Sequence, residues 1–379
     1  MTVIYCSRCL MPSTRPRIRF TDGVCNACLF AEEQRHVDWE ARRQEFGRVV
    51  ESHGAHGAYD CVVPLSGGKD SATIAHRLKH EFGLNPLGVC YGQLLWTDVG
   101  RRNFERVCRS GIDIHYWRVN QEVSRQLARR FFIERGHPKN AYAAAVNAVP
   151  LITAVQFNIP LVFYAEHGES AYGGLVLDKE SQRTRNLTEV LEHQVGDDAR
   201  NWARDGITER DLFPYIYPDK TDIERVGVKA FYWSYFFKWD IYQNAQYARE
   251  KMGFETAYDG MTHGHPLPDW WGRSDGSFEG FDSIDDQIDT LDFYMCYPKF
   301  LFGRSTRMAS RLIQGGHMTR EQGLQLVKQY DGEFPRTYLP EILDYLGMNE
   351  RELRATIDLH RNDELWKNEG NGWEPRYKP

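Results

Sequence analysis

Residues 60–71 read DCVVPLSGGKDS, and 72–83 continue as ATIAHRLKHEFG. An apolar run, a glycine-bearing polar turn and a helical pattern in succession predict strand, loop and helix. Such a turn suits an anion. Gly67 and Gly68 let backbone come close, and N–H groups at the helix start carry positive charge. Ser66 and Ser71 supply hydroxyls, Lys69 neutralises phosphate, and Asp70 is placed to hold Mg²⁺ against it. The spacing departs from G-x4-G-K-[ST] and from G-x-G-x-x-G, so neither the kinase-like nor the dinucleotide loop applies.

The alternation continues outward. PLGVCYG (86–92), IDIHYWRV (112–119) and IPLVFYA (159–165) read as strands. VGRRNFERVCRSG (99–111) and NQEVSRQLARRFFIERG (120–136) read as helices, and AYAAAVNAVPLITAVQFN (141–158) as a helix with a proline break. Strands separated by helices imply an α/β fold with a doubly wound parallel sheet, whose ligands sit beyond the carboxyl ends of the strands. SGGKDS, Tyr91-Gly92 and EHGES (166–170) fall at that edge. Past about residue 175 the strand signal fades. The stretches 229–253 and 283–303 read as aromatic-rich helices, and Thr319 and Asn349 as helix N-caps. The expected domains are 1–45, 46–210 and a mainly helical 211–379.

Ahead of the sheet, Cys6, Cys9, Cys25 and Cys28 form C-x2-C-x15-C-x2-C. Four thiolates in two knuckles suit a closed tetrahedral zinc site, structural rather than catalytic. A segment this small needs the metal to fold. RIRFTDGVC (17–25) predicts a hairpin turning at Asp22-Gly23. Cys61, Cys90, Cys108 and Cys296 read as small hydrophobes, without disulfides. The 47 basic and 53 acidic residues give a net charge of −6, which argues against a chain built chiefly to grip nucleic acid. No secretory signal or membrane span is evident, and a cytoplasmic location is expected.

SGGKDS resembles the loop of the PP-loop ATP pyrophosphatases (adenine nucleotide alpha hydrolase-like fold). In that superfamily ATP is split between its α- and β-phosphates and a substrate oxygen becomes an AMP ester. Zinc ribbon plus SGGKDS occurs in tRNA thiolases and in N-acetyl sugar amidotransferases of the WbpG and PseA type. The thiolases usually need a further C-x-x-C, which this chain lacks after Cys28. The sugar branch resembles more of the chain: CSRCLMPSTRPRIRF, WTDVGRRNFERV (96–107), YAEHGESAYGG (164–174), GVKAFYWSYFFKWD (227–240) and 282–335. It departs at Glu166-His167-Gly168, where G-E-N is expected, and in 263–281.

The resemblance implies ATP, Mg²⁺ and structural Zn²⁺, and an acetamido sugar or nucleotide sugar of surface polysaccharide biosynthesis as substrate. Ammonia would displace AMP to leave an acetamidino group. Carboxamide formation on a uronic acid and sulfur transfer to tRNA remain alternatives. No glutaminase signature is present, so a glutaminase subunit and a barrel-shaped, cyclase-like ammonia-channelling subunit are the expected partners. Lys69, Asp70 and Glu166 are the catalytic candidates. Ser66, Gly67, Gly68, Ser71, Tyr91, Gly92 and Gly168 are expected at the nucleotide. Thr97, Arg102, Asn103, Tyr172, Gly173, Lys238, Lys299 and Arg304 are candidates for the sugar, with Arg307 a further phosphate or carboxylate ligand. Asp285 and Asp286 read as metal ligands or helix-start charges, and His167, His263 and His265 as ordinary polar histidines.

Overall fold

The computed structural model describes every residue except 1, 54–56, 186, 258–266, 371 and 379. A two-residue turn joins β1 (Phe20–Thr21) to β2 (Val24–Cys25) as an antiparallel hairpin. Asp22 and Gly23 both have positive φ, 49° and 77°, the conformation that suits a tight hairpin. Helix α1 (Asn26–Glu33) follows, and α2 (Trp39–His53) leads to the sheet.

Five parallel strands make that sheet: β3 (Cys61–Leu65), β4 (Pro86–Tyr91), β5 (Asp113–Trp117), β6 (Leu161–Tyr164) and β7 (Lys229–Tyr232). Their order is β5-β4-β3-β6-β7. Successive residues alternate between two cores. Val62, Val89, Val162 and Tyr232 face one layer, with α5 (Gln121–Arg135) and α6 (Asn140–Gln156). Val63, Cys90, Phe163 and Phe231 face the other, with α2 and α3 (Lys69–His80). Burial on both faces is why β3, β4 and β6 read as continuous apolar runs.

Three expectations need correction. KAFY at 229–232, read as helical, is the fifth strand, pairing with β6 from Leu161↔Lys229 to Tyr164↔Tyr232. The sheet therefore draws on chain beyond residue 210. Pro150 does not break α6, which runs through it as one helix. The long helices expected over 229–253 and 283–303 are also interrupted, into Trp233–Phe236 and Ile241–Met252 and into Ile288–Tyr294 and Cys296–Phe300. Thr319 and Asn349 both cap helices, each in a reciprocal capping box. Among the described residues no helix is long and apolar enough to cross a membrane.

Strand order reverses at β3, so the carboxyl ends of β3 and β6 flank the crevice where such sheets bind ligands. SGGKDS leaves β3 there and Glu166 follows β6.

Candidate active site

Helix α3 starts immediately after Gly68, whose extended backbone (φ −87°, ψ 154°) is the cap. The turn is braced internally. Ser66 Oγ accepts from Gly68 N–H at 3.0 Å, and Ser71 Oγ accepts from Ser66 N–H at 3.2 Å. Gly67 is required by packing. A Cβ there would lie 2.6 Å from the Gly100 carbonyl oxygen and 3.0 Å from Asp285 Cβ. Gly100 in turn lies against Asp285 Cα. The turn is thus clamped between the first turn of α4 (Asp98–Cys108) and the segment 282–286.

Lys69 is buried, an expensive place for an ammonium unless paired. Its Nζ donates to Asp70 Oδ2 at 2.7 Å and to Asp282 Oδ1 at 2.6 Å. Burial pulls its pKa down, but Asp282 and Asp70 outweigh that and hold it above the ordinary lysine value. Asp282 behaves conversely. Burial pushes it up, and Lys69, Arg311 and Arg307 hold it well below the carboxylate range. Asn244 Nδ2 donates to the other oxygen of Asp70 at 2.8 Å.

A cavity of about 460 Å³ opens beside this network. Asp70, Glu166 and Asp282 line it, with Arg15, Arg307 and Arg311. Its volume lies in the range of small-molecule sites. Glu166 accepts from the Tyr172 hydroxyl. Burial, then the charge of Asp70, raises its pKa. Tyr172 lies on α7 (Gly168–Tyr172) and carries the Arg311 guanidinium over its ring at 3.6 Å. Cys296 also lines the wall; burial pushes its thiol up to about 11, so it stays neutral.

The cysteine ribbon supplies the remaining wall. Cys6, Cys9, Cys25 and Cys28 are buried, and their ligand atoms lie within 4.8 Å of one another. The Cys6–Cys28 and Cys9–Cys25 sulfurs are 3.8 and 3.6 Å apart. Backbone N–H groups of Cys9 and Cys25 point at the Cys6 sulfur, as in metal knuckles. Four thiolates so placed fit a structural zinc ion. Among the described residues this is the one group gathered for a metal. The three cavity acids form no such group, and Mg²⁺ would be held only through Asp70, Glu166 or Asp282 together with phosphate oxygens.

The ribbon docks on the turn after β6. Arg17 makes two hydrogen bonds to Glu169, at 2.8 and 3.1 Å. Arg15 donates to the Gly173 carbonyl at 2.9 Å, and Asn26 to the Gly174 carbonyl at 2.7 Å. Gly173 (φ 80°) thus receives the ribbon. A Cβ at Gly168 would meet nothing closer than the ring of Tyr172, at 3.7 Å.

Other expected site residues are dispersed. Tyr91 is core: it is buried, with its hydroxyl on Tyr215 at 3.3 Å, so its ring is closed to adenine. Gly92 rims a separate cavity and packs on Tyr116. Thr97 caps α4, and Asn103 is a buried clamp on the Glu255 backbone. Arg102 pairs with Glu255 at 2.7 Å. Thr97, Arg102 and Arg304 border a larger cavity, of about 850 Å³, across the 282–286 segment. Lys238 lines a small cavity of about 140 Å³ next to the main one. Lys299 is away from all of these, donating to the Arg135 carbonyl at 2.8 Å.

Asp286 is a bracket, accepting from Leu94 and Leu95 N–H at 3.2 Å each and from Ile288 N–H at 3.1 Å. Asp285 accepts from Gln93 at 2.8 Å, and burial raises its pKa. His167 is an internally satisfied histidine, bonded to Ser170 and Glu189. His263 and His265 lie outside the described residues. Sequence reasoning missed Arg15, Asp282 and Arg311. The signal for Arg311 was present, since Arg304, Arg307 and Arg311 recur at i, i+3 and i+7 along one helix face.

These features define an α/β protein with a charged cavity at the switch point of its sheet, walled by a metal-type ribbon and a helical C-terminal part. Residues 275–378 match the family model described as LPS biosynthesis protein WbpG-like, C-terminal domain. The match supports the WbpG-type family to which the sequence blocks pointed, and with it a biosynthetic role in lipopolysaccharide or sugar metabolism. The matched span supplies Asp282, Arg307 and Arg311 to the cavity. A search of curated proteins returned no match.

Proposed function

We propose that the protein is an ATP-dependent amidotransferase acting on an acetamido group of a sugar or nucleotide sugar. The observation that carries this reading is the cavity at the β3/β6 switch point, where the SGGKDS turn, two carboxylates and three guanidinium groups meet. The acetamido oxygen attacks the α-phosphorus of ATP and pyrophosphate leaves. Ammonia then adds to the activated carbon, and AMP departs with the oxygen. Lys69 and the arginines offset the phosphate charge, and Asp70 would hold Mg²⁺, which would supply further charge neutralisation on the phosphates. Burial and the charge of Asp70 raise the basicity of Glu166, which suits its carboxylate to take a proton from attacking ammonia. No protein nucleophile is required, so catalysis rests on positioning and charge stabilisation. Ammonia would come from a glutaminase through a barrel-shaped partner.

The test is incubation with ATP, Mg²⁺, ammonium and a panel of acetamido sugar nucleotides. The expected result is equimolar AMP and pyrophosphate, with a product in which oxygen is exchanged for NH. Fragmentation must place the exchange on the acetamido group; an exchange at a uronate carboxyl would identify a carboxamide synthase instead. AMP release that requires a tRNA acceptor would sink the proposal.

A further inference from the structure

The helix Arg304–Gly315 turns Arg307 and Arg311 into the main cavity, where Asp282 meets both. Asp282 Oδ2 lies 3.1 Å from Arg307 and 3.5 Å from Arg311, while Oδ1 accepts from Lys69 at 2.6 Å. One buried carboxylate therefore faces three cations. Neighbouring acids share in balancing that charge, but both are hydrogen-bonded elsewhere. Asp70 also bonds Lys69, but its other oxygen is taken by Asn244. Glu166 is engaged by the Tyr172 hydroxyl.

The shortage is one of hydrogen bonding. Nε of Arg307 and Nε of Arg311 are buried and have no hydrogen-bond partner among the described residues. Buried donors left unmade are costly, and guanidinium groups are shaped for anions with several oxygens. Asp282 offers two oxygens where the surroundings offer more donors than two oxygens can use. The deficit lies beside a glycine turn that opens a helix, itself an anion-favouring feature.

We infer that Lys69, Arg307 and Arg311 form a cradle for a diphosphate group, and that Asp282 occupies it as an internal anion which the diphosphate displaces. The ligand's oxygens take over the contacts to the two arginines and satisfy the orphaned Nε donors. Binding is then an exchange of anions, and the apparent affinity is lowered by whatever Asp282 contributes to the resting cradle. The inference rests on the proposed amidotransferase only for the role of the diphosphate, which is either the β,γ-pair of ATP or the diphosphate of a nucleotide sugar.

Titration calorimetry on the full chain, at fixed Mg²⁺ and salt, tests it with inorganic pyrophosphate and with UDP as probes. Asp282→Asn keeps the shape and removes the competing charge. It should bind at least one probe about tenfold more tightly than the unaltered protein. Gain through pyrophosphate alone assigns the cradle to ATP, and gain through UDP alone to the sugar carrier. A folded Asp282→Asn protein that binds both probes equally or more weakly overturns the inference, because a purely structural acid or a metal ligand gives that result. Should this variant fail to fold, Arg311→Gln decides: about tenfold weaker binding supports the cradle, and unchanged binding overturns it. Neither measurement needs turnover. Tightened binding without ammonium-dependent product would reject the amidotransferase and leave the cradle standing; product without tightened binding would do the reverse.

Discussion

The turns that leave β3 and β6 look alike in sequence. SGGKDS and EHGESAYGG are both short and polar, both carry paired glycines, and both follow a buried strand and open a helix. Their glycines nonetheless serve protein contacts. Gly67 admits the backbone of Gly100 and the side chain of Asp285, whereas Gly173 and Gly174 admit the ribbon and Glu169. Each turn thus has a docking half and a chemical half. In the chemical halves, Asp70, Glu166 and Tyr172 line one cavity, with Lys69 bonded to Asp70 and Tyr172 to Glu166. A glycine pair at a sheet edge marks close approach, and the partner must be found in the fold.

The sharpest way to break this comparison is to remove the ribbon from the second turn. Metal binding contributes about 10–16 kcal/mol to small zinc modules. Cys25→Ser, or chelation, should therefore unfold the ribbon, expose the β6 turn and lower the thermal midpoint of the whole protein. Metal analysis should find one zinc per chain in the parent. Zinc loss without a change in melting would make the ribbon an appendage. Next in size is Lys69→Met, which removes the ammonium between buried Asp282 and half-buried Asp70 and should cost about 3 kcal/mol in chemical denaturation, along with ATP-dependent activity. Equal stability would mean that the pair at 2.6 Å contributes nothing net.

Two alanine substitutions test the docking halves directly. A Cβ at Gly174 would fall 1.7 Å from Glu169 Oε2, and at Gly67 2.6 Å from a backbone oxygen. Each should cost about 2 kcal/mol in urea, with Gly174→Ala also loosening the Arg17–Glu169 pair. A smaller effect separates the chemical halves. Burial and Asp70 raise the pKa of Glu166 above its unfolded value. The native state then holds this proton more tightly, so its contribution to stability is lost as pH climbs from the ordinary carboxylate range through the raised value. Glu166→Gln should melt higher than the parent at pH 7 and converge with it below the carboxylate range. A difference that does not vary with pH would refute the assignment. Gly168→Ala, with the nearest atom 3.7 Å away, should change stability by no more than about 0.5 kcal/mol.

Much of the frame was legible because burial on both faces writes itself as apolar runs bounded by turns. β3, β4 and β6 announce themselves in this way; β5 and the cysteine hairpin, which are largely unburied, show instead through the turns and cysteine spacing around them. β7 did not. Its four residues, KAFY, run straight into the helix Trp233–Phe236, and the aromatic density of the two together has no strand period. In the site, Lys69, Asp70, Glu166 and Tyr172 were legible from the turns that carry them. Asp282 and Arg15 were not, because each depends on tertiary docking that brings residues 282–286 and the ribbon to the sheet edge. Tyr91 erred in the other direction: it ends a strand at the ligand edge, but its side chain falls on the core side of the pleat.

The ribbon also touches chain made at the far end. Leu10 N–H donates to Ser310 Oγ at 3.3 Å across 300 residues of sequence, Arg320 reaches the Cys9 carbonyl at 3.1 Å, and Gln314 points at the Cys28 sulfur. Ribosomes add about 5–20 residues per second, so the first segment synthesised waits on the order of 15–60 s for its docking surface. During that interval its four thiols stand without the shelter of the finished protein. Prompt capture of a metal ion by the nascent chain would protect them until the last helices arrive.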